Sequence, residues 1–219
     1  MSKLLRTPFF ARHQAAGARL IEFGGWEMPV QYRGIIAEHE HTRTAVSLFD
    51  CSHMGQFRVQ GAAAGAALDA VLPRRASTQK PWTCRYNFLT NEQGGVIDDI
   101  IVYRLDGDEY YIVVNASTQD NDFDHLRRHL PAAIRLTNES AATAKLDLQG
   151  PEALAVVAGI GLEAADLPRY YRARRVTIAD VPMLISRTGY TGERGLEFYF
   201  DAVHADRIWD LLSGLPNVE

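Results

Sequence analysis

Cysteine is scarce in this chain: Cys51 and Cys84 are the only two, and they form no Cys-x-x-Cys pair. That count excludes a disulfide scaffold or a cysteine zinc cage, and it fits reduced thiols in a cytoplasmic compartment. Long apolar runs are missing too. Nothing approaches the roughly 18 consecutive apolar residues of a membrane span, and no apolar h-region follows the N-terminus. The sequence therefore predicts neither a membrane-spanning protein nor one exported by a secretory signal. Positive charge is not in excess, with 23 basic against 27 acidic residues and a net charge of −4, so nucleic acid is not an expected partner. There is no Gly-Lys-Ser/Thr, and the glycine-rich stretch Thr188–Gly195 leads into a strand pattern rather than a helix, so P-loop and dinucleotide readings fail. His39 and His41 are two apart and point to different faces of a helix, which leaves no metal site to predict.

What is present is ordinary in bulk. A chain of 219 residues with 47% hydrophobic and 23% charged residues can form one large domain or two small ones. Helical and strand patterns alternate with frequent hairpin signals, which predicts an α+β fold with mainly antiparallel sheet. Residues 7–22 read as a short helix or coil, and 23–32 as an irregular loop. Helices are expected over 35–45, 62–72 (stopped by Pro73), 120–130 and 203–212, with another starting at Pro151 and turning Leu154, Val157 and Ala158 inward. Strands are expected over 56–59, 85–89, within 94–104, over 109–114 and 137–148, with a hairpin of 176–178 and 183–187 around Asp180-Val181-Pro182. No repeat, low-complexity tract or linker divides residues 1–219.

The most informative stretch is Gly94-Gly95-Val96-Ile97-Asp98-Asp99-Ile100-Ile101-Val102-Tyr103-Arg104. Two adjacent carboxylates at the mouth of an apolar strand are costly to bury unless hydrogen-bonded or employed. The following strand ends at Asn115. A two-residue Asp106-Gly107 turn would set Asp98 opposite Asn115, and a three-residue Asp106-Gly107-Asp108 loop would set Asp99 there, so spacing leaves the choice open. Cys51-Ser52-His53 superficially offers a nucleophile and a base, but no acid is placed to orient His53.

Five motifs stand in the order and spacing of one family: Phe23-Gly24-Gly25-Trp26-Glu27-Met28-Pro29-Val30-Gln31-Tyr32, Phe49 through Gly55, Gly94 through Tyr103, Leu148-Gln149-Gly150-Pro151, and Arg187 through Glu197. In these the chain resembles the aminomethyltransferases, or T-proteins, of the glycine cleavage system. The likeness begins at Thr7-Pro8, so no transit peptide is expected, although Lys3, Arg6, Arg12 and Arg19 superficially resemble one. It implies ferredoxin-like and Greek-key α+β lobes around a folate, and a chain that stops at Glu219 before the family's arginine segment and C-terminal β domain. It further implies transfer of the aminomethyl carbon from the lipoyl arm of the carrier H-protein to tetrahydrofolate, a co-substrate, with ammonia released. Among the two acids it selects Asp99 as the catalytic one, accepting a folate proton and balancing a developing cation. Glu197 is implied as the acceptor of pterin N–H groups, with Asn115, Asp98, Tyr86, Tyr190, Met54, Ile101, Tyr103 and Val113 as further folate contacts, together with one of Tyr170 and Tyr171. The alternatives from other classes are a non-catalytic folate-binding relative of the iron–sulfur assembly type and a folate-dependent demethylase.

Overall fold

The structure is a computed structural model that describes residues 3–219. It divides into two compact units. The first holds the chain up to His53, then Ala142–Tyr170 and Arg175–Glu219; the second holds Met54–Ala141 and Tyr171–Arg174.

In the first unit a short helix, α1 (Phe10–Ala15), precedes the strands β1 (Arg19–Phe23) and β2 (Trp26–Gln31), then α2 (Ile35–Thr44) and β3 (Ser47–Asp50). The expected loop over 23–32 is thus half of a hairpin. Its turn residues Gly24 and Gly25 both take positive φ, +58° and +87°, which matches the right-handed twist of two strands joined by two residues.

The second unit opens with β4 (Gly55–Gln60) and α3 (Ala64–Leu68), a helix shorter than the alanine-rich run predicts. Ala63 sits at its start with φ +65° and caps nothing with its side chain, and beyond Leu68 the i→i+3 bonds of Ala70 and Val71 interrupt the i→i+4 series. Then come β5 (Thr83–Thr90), β6 (Val96–Arg104), β7 (Glu109–Val114), α4 (Gln119–His129) and β8 (Arg135–Asn138). The sheet order is β5-β6-β7-β4-β8, and its pairings are antiparallel. Ile100, Val102, Ile112 and Val114 alternate onto the inner face, where they pack with Phe57, Leu68 and Leu126.

The chain returns to the first unit with β9 (Thr143–Gln149), α5 (Ala153–Val156), β10 (Ala173–Ile178), β11 (Val181–Ser186), β12 (Gly195–Asp201) and α6 (Ala205–Ser213). The one strand expected over 137–148 is therefore two strands in different sheets. Asn138 breaks it, its side-chain oxygen taking the amide of Ser140 in a local turn. Ala158 is exposed rather than inward, because α5 gives way to a 3-10 turn after Val156. The later hairpin turns at Ala179 and Asp180, both at positive φ, and Pro182 lies inside β11. Sheet order here is β10-β11-β12-β9-β3, with Leu146, Leu148, Leu196, Phe198 and Ile185 facing the core under α6.

Gly150 ends β9 at φ +143°, where a Cβ would meet the Ala45 carbonyl and the Val46 Cα. Gly150→Ala is expected to lower unfolding free energy by more than about 2 kcal/mol in a urea titration. An unchanged midpoint would show that this close approach is dispensable.

Candidate active site

In the second unit the β6–β7 register decides between the two acids. Leu105 and Glu109 close a three-residue loop of Asp106, Gly107 and Asp108, and the pairs Ile101↔Val113 and Tyr103↔Tyr111 follow. This is the register that aligns Asp99, not Asp98, with Asn115. Asp98 turns inward with Ile100 and is 7% exposed; Asp99 turns outward and is exposed. Tyr86, opposite Ile101 on β5, shares the outward face with Asp99, Ile101, Tyr103 and Val113.

The outward carboxylate is held by neutral donors. The Asn115 amide donates to Asp99 Oδ1 at 3.1 Å, and the Tyr86 hydroxyl donates to Oδ2 at 3.2 Å. Neither bond neutralises the charge, so Asp99 is oriented and still able to accept from a ligand. Asp98 has another task. It accepts from the Asn115 backbone N–H (3.0 Å), the Asn115 side-chain amide (2.8 Å) and the Thr118 hydroxyl (2.9 Å). Of the two adjacent tyrosines, Tyr171 is the one beside this sheet, its carbonyl taking the Cys84 N–H at 2.9 Å. Tyr170 is 72% exposed and belongs to the first unit. Met54 precedes β4, its carbonyl held by the Gln56 amide.

In the first unit, Glu197 and Tyr199 on β12 oppose Asp147 and Lys145 on β9, and Ser186 on β11 opposes Glu197. Direct opposition puts all of them on one face, away from the apolar core. The Lys145 ammonium, 1% exposed, bridges Asp147 Oδ1 at 2.5 Å and Glu197 Oε1 at 2.9 Å. Glu197 Oε2 accepts from Ser186 and Tyr199 (both 3.1 Å) and from Thr188. Asp147 Oδ2 is buried without a donor. Burial pushes the Asp147 carboxyl up to about 7, with Lys145 opposing and Glu197 reinforcing the shift. Gly195 and Gly189 let Gln149 lie against the backbone, since a Cβ on either would strike its side chain. Tyr190 precedes β12 and meets Phe49 edge-on at 5.8 Å.

Cys51 is buried, and burial, then Asp147, push its thiol well up; His53 is pushed down by burial. A buried thiol held in its neutral form is not an activated nucleophile. Among the described residues no cluster of three or more His, Cys, Asp or Glu side chains could hold a metal, and no helix is long and apolar enough to cross a membrane.

The GCVT N-terminal domain family matches residues 9–215. The chain belongs to this family. It is 43% identical over 214 residues to an aminomethyltransferase of Desulforamulus reducens, covering 97% of this chain and 58% of that relative. An aminomethyltransferase of Deinococcus deserti is also 43% identical, over 97% of this chain and 60% of its own length. The crystal structure of glycine cleavage system aminomethyltransferase T from Bartonella henselae superposes with a TM-score of 0.92 at 35% identity, over 99% of this chain and 59% of that one. The likeness read from the five motifs thus extends along the chain, and the expected α+β, mainly antiparallel fold holds. The chain spans about three-fifths of the length of these relatives.

Three features of this GCVT domain escape a sequence reading. Lys145 and Asp147 were legible only as two charges alternating within an apolar strand, a signal of one polar buried face. Asp122 looks like an ordinary first-turn helix acid. The third is a dyad: His13 Nε2 lies 2.9 Å from Asp50 Oδ2 with both side chains buried, while Tyr32 bonds the other ring nitrogen at 2.7 Å. No local pattern links residues 13, 32 and 50. His13→Leu is expected to cost about 3 kcal/mol by stripping a buried carboxylate of a partner. A loss below about 1 kcal/mol in urea would show that Thr7 and the Ser52 amide suffice for Asp50.

Proposed function

We propose that this chain carries the folate-binding and one-carbon-transferring machinery of an aminomethyltransferase. The reaction moves the aminomethyl carbon from the lipoyl arm of a carrier H-protein to tetrahydrofolate and releases ammonia. The observation that supports it most is Asp99, a charged, exposed carboxylate fixed by one phenol and one amide on a sheet face with apolar neighbours. Folate suits this donor and acceptor set. Its ring nitrogens need an acceptor for a proton, and its flat pterin needs apolar and aromatic walls. Ile101, Val113, Tyr103, Tyr86, Tyr171 and Met54 supply such side chains. Asn115 orients Asp99 and retains its carbonyl for a ligand N–H.

Asp99 has two parts in this reading. It accepts the proton of the attacking folate nitrogen, and it opposes the positive charge that grows on the transferred carbon. Both parts need a carboxylate at a fixed place that keeps its basicity and its uncompensated negative charge, which neutral donors leave in place and a lysine or arginine partner would take up. Asp98 serves by holding Asn115. Glu197 is proposed to accept pterin N–H groups, with the Ser186 and Thr188 hydroxyls rotating to release its oxygen, and Tyr190 to add an aromatic contact.

The test uses the 219-residue chain, tetrahydrofolate and aminomethylated H-protein. Folate titration by calorimetry is expected to give saturable binding, and ammonia release is expected to depend on folate. Binding without ammonia release would make the chain a folate-binding module. Absence of binding would remove the reading altogether.

A further inference from the structure

Asp122 is buried without an evident reason. It stands in the first turn of α4 with no solvent exposure, and neither of its carboxylate oxygens has a hydrogen-bond donor. The side chains beside it are Asp98 and Thr118. Thr118 has one hydroxyl proton, within reach of Asp98 Oδ2 at 2.9 Å and of the Asn115 carbonyl at 3.2 Å. Asp98 draws its other bonds from the backbone and side chain of Asn115. Two carboxyls therefore face each other beside one threonine hydroxyl, whose single proton cannot serve both. Such a pair is satisfied only when one member is protonated and donates to the other. Asp98, with three donors of its own, is the better anion.

The remaining titratable groups do not supply the missing charge. His125, on the same helix, is pushed down by burial first and by His129 second, so it is neutral; His129 stacks on it at 4.3 Å. Asp99 lies on the opposite face of β6 and is reached through the Asn115 amide.

We propose that Asp122 is a positioning residue for Asp99: its own proton bonds Asp98, Asp98 as an anion fixes Asn115, and Asn115 fixes Asp99. Burial, then Asp98, push the Asp122 carboxyl up to about 7, with Thr118 opposing. As pH rises through that value a second negative charge appears against Asp98, and the grip on Asn115 loosens.

Carbon-13 carboxyl NMR of aspartate-labelled chain tests the protonation directly. One resonance titrating near pH 7 is expected to vanish in Asp122→Asn, leaving that of Asp147 in place. An Asp122 resonance already ionised at pH 5 would overturn the proposal. A kinetic arm uses the transfer assay, and it rests on the reading of Asp99 given above. Asp122→Asn, whose amide can still donate to Asp98, is expected to keep transfer within about twofold at pH 6 and to lose the parent's decline toward pH 8. Asp122→Leu is expected to lower kcat about tenfold at pH 6, the scale of one lost charged hydrogen bond, and to show no further decline toward pH 8, so that its deficit against the parent shrinks there. A parental pH profile in both variants would refute the positioning role. Should the leucine variant fail to fold, the NMR titration and the asparagine profile decide alone. Failure of the chain to use folate at all would remove the Asp99 reading while leaving the carboxyl titration to stand or fall by itself.

Discussion

Replacing Asp99 by Asn is expected to slow one-carbon transfer by about 10²- to 10⁴-fold and to change folate affinity no more than severalfold. The side chains are nearly isosteric, and Asp99 is exposed, so the fold has little reason to respond. The amide oxygen can still accept from Asn115 or Tyr86, which keeps the local geometry. What disappears is the negative charge and the basicity, the two properties assigned to the reaction rather than to binding. The effect should therefore appear in kcat and kcat/KM together, with KM little altered. Near-normal transfer by the asparagine variant with folate still bound would strike Asp99 from the mechanism.

Lys145→Met is expected to be the most destabilising single change considered, at about 3–5 kcal/mol near pH 8. Methionine fills the space of the lysine stem but leaves Asp147 and Glu197 side by side without their ammonium. The sign with pH follows from the carboxyls. Asp147 already has a folded pKa of about 7, above its unfolded value of 3.8. Its contribution to stability is thus fully present below about pH 4 and is lost as pH rises through about 7. Removing Lys145 takes away the group that restrains this shift, so the pair holds its proton more strongly. The methionine variant should consequently recover much of its stability when urea unfolding is repeated at pH 5. A deficit that is the same at pH 5 and pH 8 would mean that lost packing, not uncompensated charge, carries the cost.

These two sites were unequally legible. The acid pair announced itself, because two carboxylates opening an apolar strand call for an explanation. Asp98 and Asp99 could not be told apart by spacing, since a one-residue change in the Asp106–Asp108 loop exchanges the faces. Tyr170 and Tyr171 were indistinguishable for a related reason: the positive φ of Tyr171 and its carbonyl bond to Cys84 depend on a partner strand far away in sequence. Glu197 was visible as the acid of a glycine-rich stretch, but its lysine was not, because Lys145 lies in a segment read as one continuous strand. The Gly24-Gly25 hairpin has a local signal in its two adjacent turn glycines, both at positive φ.

By itself the sequence determined the family, the α+β alternation and the identity of the acids, since all three reside in local patterns and motif order. Tertiary structure alone decided which carboxylate faces outward, which is buried against another, and which ammonium balances them. Those outcomes depend on strand register and on pairs such as Asp98 with Asp122 or Lys145 with Glu197, whose members meet only when distant segments fold together.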